Sequence, residues 1–236
     1  MARRVMVTRP EPGASATAAR LREMGLEAVV LPLTRIEPLA GTVKNAASFD
    51  GVVLTSANAV RMASPDLLVV MRELPCHAVG PATGEAARLA GLKVVLESRG
   101  DAASLSEDII SRLPRGSRLL YPCGRVRSLS LEDALGDAGI DVTPLEVYDA
   151  VAVGYPSSAI REAVADRPFD LALIHSRRGG ELLAGIMSRP ELGDLFAGTM
   201  ILSISAKAAA QLANRHVEVA AEPSEPALLA LVKAKV

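Results

Sequence analysis

The chain carries one α/β pattern twice, and that duplication limits its folds more than any other feature. Phe49-Asp50-Gly51-Val52-Val53-Leu54-Thr55-Ser56 recurs in pattern as Phe169-Asp170-Leu171-Ala172-Leu173-Ile174-His175-Ser176, about 120 positions later. Gly25 to Thr34 matches Gly139 to Tyr148 at an offset of about 114. Ile201 to Ile204 followed by Ser205-Ala206-Lys207 echoes Ala78-Val79 followed by Gly80-Pro81-Ala82. Landmarks that recur in one order, with small insertions, point to duplication rather than chance likeness.

Each copy reads as strand, turn, helix. Arg4 to Thr8 is an apolar strand that ends in the turn Thr8-Arg9-Pro10-Glu11-Pro12-Gly13, and a helix from Ala14 to Met24 stops at Gly25. Ser104-x-x-Glu107 has the spacing of a capping box for a helix through Leu113. In mid-chain Leu145-Glu146-Val147-Tyr148-Asp149-Ala150-Val151 has no helical period and reads as an extended crossover. Each copy therefore starts with a βαβ piece, passes an extended connector and continues with three more βα units. The halves are either self-contained or exchange their front pieces. Exchange predicts one domain at 35–149 and a discontinuous one from 1–34 and 150–236, with Thr34 to Ile36 beside Tyr148 to Ala150 as a two-strand link. Residues 34–38 and 149–154 are then expected to act as hinges.

Half of the 236 residues are hydrophobic, but only 3% are aromatic and Trp is absent. An Ala, Leu and Val core of this kind suits helix-covered parallel sheets. The formal net charge of −1 gives no global field for nucleic acid or an anionic membrane, so an anionic ligand needs local groups. Cys76 and Cys123 have no metal-ligand spacing and read as reduced thiols. The basic start is followed by an apolar run broken at Thr8-Arg9-Pro10, which reads as a strand rather than a leader. A soluble cytoplasmic monomer is expected.

The familiar signatures for nucleotide cofactors, phosphate loops, zinc and serine nucleophiles are absent. His77 and His216 read as ordinary strand residues. What recurs is a set of strand-to-helix corners bearing small and hydroxyl residues: Thr8-Arg9, Ser56-Ala57-Asn58, Gly80 to Thr83, Gly124-Arg125, Ser176-Arg177 and Ser205-Ala206-Lys207. In parallel sheets such corners lie at the carboxyl ends of the strands, where ligands bind. Helix N-termini there offer unpaired amides to anions, so two facing edges would suit a polycarboxylate. The side chains of Ser56, Asn58, Thr83 and Ser176 also suit capping their own helices.

Thr8-Arg9-Pro10, Thr55 to Val60, Ala78 to Thr83 and Leu145 to Tyr148, in this order, resemble the uroporphyrinogen-III synthase family over essentially the whole chain. The resemblance implies two similar flavodoxin-like, three-layer α/β domains with exchanged βαβ pieces and a two-stranded link. It also implies a cofactor-free, metal-free lyase that cyclises hydroxymethylbilane to uroporphyrinogen III, inverting ring D and releasing water. The substrate would come from the preceding pathway enzyme. Tyr148 matches the tyrosine of the family's crossover strand and takes the role of acid for hydroxyl departure. Thr8, Arg9, Ser56, Ala57, Asn58, Gly80, Thr83, Gly124, Arg125, Ser176, Arg177, Ser205 and Lys207 take substrate-binding roles. Ser205-Ala206-Lys207-Ala208 departs from the pattern, with Lys207 standing in for an expected threonine contact. The competing expectation is a non-enzymatic two-domain protein that closes on an anionic small molecule; a nucleotide-linked enzyme ranks third.

Overall fold

The computed structural model describes residues 2–43 and 46–236. In chain order its strands are β1 (Arg4–Val7), β2 (Glu27–Val30), β3 (Thr34–Pro38), β4 (Gly51–Leu54), β5 (Pro75–Ala78) and β6 (Lys93–Glu97). They continue with β7 (Arg118–Gly124), β8 (Asp141–Ala152), β9 (Leu171–Ile174), β10 (Met200–Ser203) and β11 (Val217–Val219). The chain divides into two compact units, 1–35 with 151–236, and 36–150.

The first unit is built on a parallel sheet of order β11-β10-β9-β1-β2. Its strands alternate between two buried layers, as the two-residue period of a strand requires. Val5 and Val7 pack with Leu21, Leu228 and Val232. Met6 faces the opposite way, toward Ile160, Phe169 and Phe196. Apolar residues on both faces force helices onto both faces, which gives three layers. Each fully buried leucine contributes roughly 1.5–3 kcal/mol relative to exposure.

In the second unit the order is β3-β8-β7-β4-β5-β6. Val52, Leu54 and Leu120 face one core, and Val53, Leu119 and Tyr121 the other. Counted from its front pair, each sheet follows the order 2-1-3-4-5, with β3 added at the outer edge of β8. The front pair of the first sheet, β1 and β2, comes from the first copy of the repeat. The front pair of the second, β7 and β8, comes from the second copy. The two copies have exchanged their βαβ pieces. At the crossing the Leu39 amide donates to the Val147 carbonyl and the Val153 amide to the Leu33 carbonyl, both within 3.0 Å. Partner numbers fall as chain numbers rise, so β3 and β8 run antiparallel.

Glycines stop matching helices. Gly25 and Gly139, equivalent in the repeat, sit at φ of 79° and 77°, a conformation costly for other residues. The expected capping box at Ser104 is displaced: the helix Ala102–Ile110 begins earlier, and the Asp101 carboxylate accepts from the Ser104 amide at 2.8 Å. Asp101 is a strong cap and its negative charge suits the helix start, so it outcompetes Ser104 for that position.

The helix Arg177–Met187 packs tightly on the short helix Ala206–Ala209. A Cβ on Gly180 would lie 2.1 Å from the Ala208 carbonyl oxygen, a backbone atom that cannot swing aside. Gly180→Ala should therefore destabilise the protein by about 1–3 kcal/mol, read as a lower urea midpoint. An unchanged midpoint would show that the two helices are not held this closely.

Candidate functional site

Each parallel strand delivers its chain to a helix at the carboxyl edge of its sheet, so the corners of a unit share one edge. In the 36–150 unit this edge brings together Ser56, Ala57 and Asn58 after β4, Gly80 and Thr83 after β5, Gly124 and Arg125 at the end of β7, and Tyr148 on β8. Ser56 is extended, as an N-cap should be, and its hydroxyl accepts from the Asn58 amide at 3.2 Å. Next to it the Thr55 hydroxyl and the Tyr121 hydroxyl are 2.9 Å apart. Gly80 starts the helix Pro81–Leu89, and Thr83 is buried in its first turn.

Tyr148 is half-buried, its ring against Gly124 and its hydroxyl near the Ser56 side chain. Burial pushes the phenol above its ordinary pKa; Ser56 works against that, and the nearby Cys123 thiol adds to it. The proton therefore stays on the phenol at neutral pH, and the group is a hydrogen-bond donor. Tyr121 is driven further by burial, up to about 12, with Thr55 opposing.

Arg125 is not the free cation expected. Its amide donates to the Tyr148 carbonyl at 2.9 Å, and its guanidinium reaches Glu146 and Asp149, each at 3.3 Å. These exposed pairs cost the substrate-binding role its charge while adding little stability.

In the other unit the edge gathers Thr8, Arg9, Ser176, Arg177, Ser205 and Lys207. Ser176 and Ser205 are extended caps that accept from the Gly179 and Ala208 amides at 3.1 and 3.2 Å. Such caps satisfy the third amide of the first turn and leave the earlier ones directed out of the helix end. Arg177 pairs with Glu181 at 2.9 Å on the surface. Lys207 is exposed and has no ion pair among the described residues.

At the Thr8-Arg9 corner the expectation of open donors fails. The Thr8 hydroxyl is buried and donates to the Leu173 carbonyl at 2.7 Å. The amides of Ala14, Ser15 and Ala16 are taken by the Pro10 carbonyl, the Glu11 carboxylate and the Pro12 carbonyl, at 3.1, 3.0 and 3.3 Å. Arg9 folds back over Gly13, where any Cβ would strike its guanidinium, and pairs with Glu225 at 2.7 Å. The corner is closed by its own chain.

Glu225 collects a cluster that the motifs did not reveal. Besides Arg9 it accepts from the Thr17 hydroxyl at 2.5 Å, and His175 Nε2 lies 2.9 Å away. The imidazole approach is off the hydrogen-bond direction, so neither ring nitrogen has a well-directed partner. Burial lowers the His175 pKa; the Glu225 carboxylate opposes this, and the Arg9 charge adds to it. Burial alone would raise Glu225, but His175, Thr17 and Arg9 together hold it down to about 2. The only signals in the sequence were a helix-start glutamate after Ser224 and a histidine where the first copy has Thr55.

Among the described residues no cluster of histidine, cysteine, aspartate and glutamate could hold a metal ion, and no helix is long and apolar enough to cross a membrane. A cavity of about 690 Å³ between Arg3, Glu23, Leu26 and Lys233 lies at the other edge, where the strands of the first unit begin. Parallel sheets bind ligands at the carboxyl ends of strands, so the corners remain the candidate site.

The fold is that of an α/β protein whose two parallel sheets carry serine-capped helix starts at their carboxyl edges. The family model for uroporphyrinogen-III synthase HemD matches residues 15–233. A uroporphyrinogen-III synthetase from Helicobacter pylori superposes with a TM-score of 0.70 at 19% identity, with 100% of both chains covered. A mutant uroporphyrinogen III synthase from the extremely thermophilic bacterium Thermus thermophilus gives 0.58 at 18% identity, covering 100% of this chain and 98% of the other. At such identities the superpositions speak for the fold; the family model carries the assignment. The chain belongs to the uroporphyrinogen-III synthase family, lyases of tetrapyrrole biosynthesis.

The buried histidines set the acid side of the stability profile. His175 has a folded pKa below 6.5, so above that value it is neutral in both states and costs nothing. As pH falls below 6.5 the unfolded chain takes the proton first, and stability declines. His77, lowered by burial and by the Arg112 charge, acts in the same window. Glu225, held at about 2, adds stability that is present above pH 4.5 and lost as pH falls toward 2. Chemical denaturation from about pH 7.5 to 5 should show a falling midpoint, and His175→Asn should flatten part of that slope. An equal slope in the variant would contradict the environment described for His175.

Proposed function

We propose that the chain cyclises hydroxymethylbilane to uroporphyrinogen III, with loss of water and inversion of ring D, and that Tyr148 is the acid of the first step. Family membership over residues 15–233 supports the reaction. The observation that carries the residue role is Tyr148 itself, a protonated phenol on β8 beside Ser56, level with the carboxyl end of β7.

The chemistry follows from the substrate. The bond between the terminal methylene and its hydroxyl oxygen breaks as the pyrrole nitrogen pushes electrons toward the methylene. Tyr148 donates a hydrogen bond, then its proton, to the departing oxygen, which leaves as water. A phenol of raised pKa is a weak acid, so its contribution is position and hydrogen bonding to the leaving oxygen. Ring D then attacks the methylene through its already substituted carbon. The spiro intermediate fragments and recloses, and loss of a ring proton restores the pyrrole. Uncatalysed closure gives the uninverted isomer, so holding one folded conformation of the bilane is the protein's main task.

Amides of the helix starts at Ser56, Gly80, Ser176 and Ser205 hold the acetate and propionate groups, with Lys207 as the cation. Charge-assisted bonds to carboxylates are strong without net positive charge on the protein, in keeping with the overall charge of −1. Thr8, Arg9, Gly124 and Arg125 serve as framework for these groups. The chain works here as a cytoplasmic monomer that receives hydroxymethylbilane directly from the enzyme that makes it; the substrate's tendency to close unaided supports such a transfer.

Supplied with hydroxymethylbilane, the protein should yield isomer III after oxidation of the product; isomer I alone from folded protein would remove the enzymatic reading. Tyr148→Phe should slow turnover by about 10- to 100-fold with little change in product affinity, and unchanged turnover would retire its role as acid. Lys207→Gln should raise KM by about fivefold at low salt and by less at high salt, since an exposed charge is screened. A KM that does not move would place the carboxylates elsewhere.

A further inference from the structure

Strand alternation alone does not put Tyr148 where it is. Val147 and Tyr148 are consecutive, and a regular strand would send them to opposite faces. Both nevertheless pack against the same cluster as Leu145, with Val147 in its buried core. The pairing of β7 with β8 shows how. Cys123 is opposite Glu146, but Gly124 is opposite Tyr148, so Val147 is an extra residue and the register shifts by one. Such a shift re-aims the side chain that follows it.

The turned ring then needs space on β7. A Cβ on Gly124 would lie 2.8 Å from Cζ of Tyr148, 2.9 Å from Cε2 and 3.1 Å from the hydroxyl oxygen. These are the atoms at the reactive end of the phenol, not its stem. Gly124 is buried and its backbone is tied on both sides, by the pairing of Cys123 with Glu146 and by the Arg125 amide on the Tyr148 carbonyl at 2.9 Å. Neither strand can back away from an added methyl group, so the ring would have to leave its place beside Ser56.

We propose that Gly124 is a positioning residue rather than a substrate contact: its lack of a side chain makes the seat that, with the extra residue Val147, holds the Tyr148 hydroxyl at the sheet edge. The catalytic part of the inference rests on Tyr148 as the acid of the proposed reaction; the steric part does not. A substrate-contacting glycine would donate or expose its backbone, and substitution would weaken binding. A seat acts through Tyr148, and substitution lowers turnover at constant binding.

The test is a double-mutant cycle on the full chain, with turnover of hydroxymethylbilane and urea stability as readouts. Gly124→Ala should lower kcat by about tenfold or more while KM changes by less than about twofold, since a displacement of about 1 Å can cost two orders of magnitude. In a Tyr148→Phe background the same change should slow turnover by less than about twofold, because the hydroxyl it displaces is already gone. In Tyr148→Ala, where no ring remains to be struck, Gly124→Ala should cost no stability. Wild-type kcat in Gly124→Ala, multiplying rate penalties, or a stability loss that persists in Tyr148→Ala would each overturn the proposal. Should Tyr148→Phe turn over normally, the acid role fails by itself, and the seat is judged by the stability cycle alone. If Gly124→Ala does not fold, recovery of folding in Gly124→Ala/Tyr148→Ala supports the seat, and continued failure rejects it.

Discussion

A parallel strand that feeds a helix leaves that helix's first amides without intrahelical partners, at the same edge of the sheet every time. That constraint organises this protein. It places Ser56, Gly80, Ser176 and Ser205 at the carboxyl ends of β4, β5, β9 and β10 and gives each corner directed donors. These corners carry serine or glycine because those residues adopt the extended cap and permit close approach, not because a motif demands them. The anion-binding edge invoked in the proposed function is thus a by-product of making two parallel sheets.

The corners are not equivalent, and the difference is repeated in the two units. The corner after the first strand of each sheet, Arg9 in one and Arg125 in the other, is occupied by its own chain. Arg9 is bound to Glu225 and Arg125 to Glu146 and Asp149, while the helix start behind Arg9 is filled by Pro10, Glu11 and Pro12. Among the described residues the corners after the third and fourth strands keep some early amides, such as those of Ala57 and Arg177, while the Asn58 and Thr83 amides are taken by the Ser56 hydroxyl and the Gly80 carbonyl. In the proposed function backbone dipoles, with Lys207 as an added charge, carry the grip on an acidic substrate, and a protein of nearly neutral net charge can supply it.

Much of the fold was legible because it is local. Strand runs such as Val52-Val53-Leu54, helix stops such as Gly25 and Gly139, and the order of repeated landmarks are all short-range signals, and they led to two sheets. The repeat showed which βαβ piece belonged to which copy but left self-contained and exchanged halves both open, and the family resemblance pointed to exchange. Caps at Ser56 and Ser176 could be read because they too are local, whereas Ser104 lost to Asp101 by a contest between two good candidates in one helical turn. The remainder depends on contacts between distant residues. Nothing near Arg9 announces a carboxylate 216 positions later, and nothing around His175 announces that Glu225 lies against it. The shift at Val147 is set by core packing, and the glycine that receives Tyr148 looked from the sequence like one more ligand-facing turn.

The division into open and closed corners is tested most directly by backbone amide shifts of the labelled protein titrated with uroporphyrin III, a stable relative of the product. The expected result is perturbation of the amides at Ala57, Ala82, Arg177, Arg178, Ala206 and Lys207, with those of Ala14, Ser15, Ala16 and Arg125 unmoved. Shifts concentrated at the latter four, with the former set silent, would contradict it.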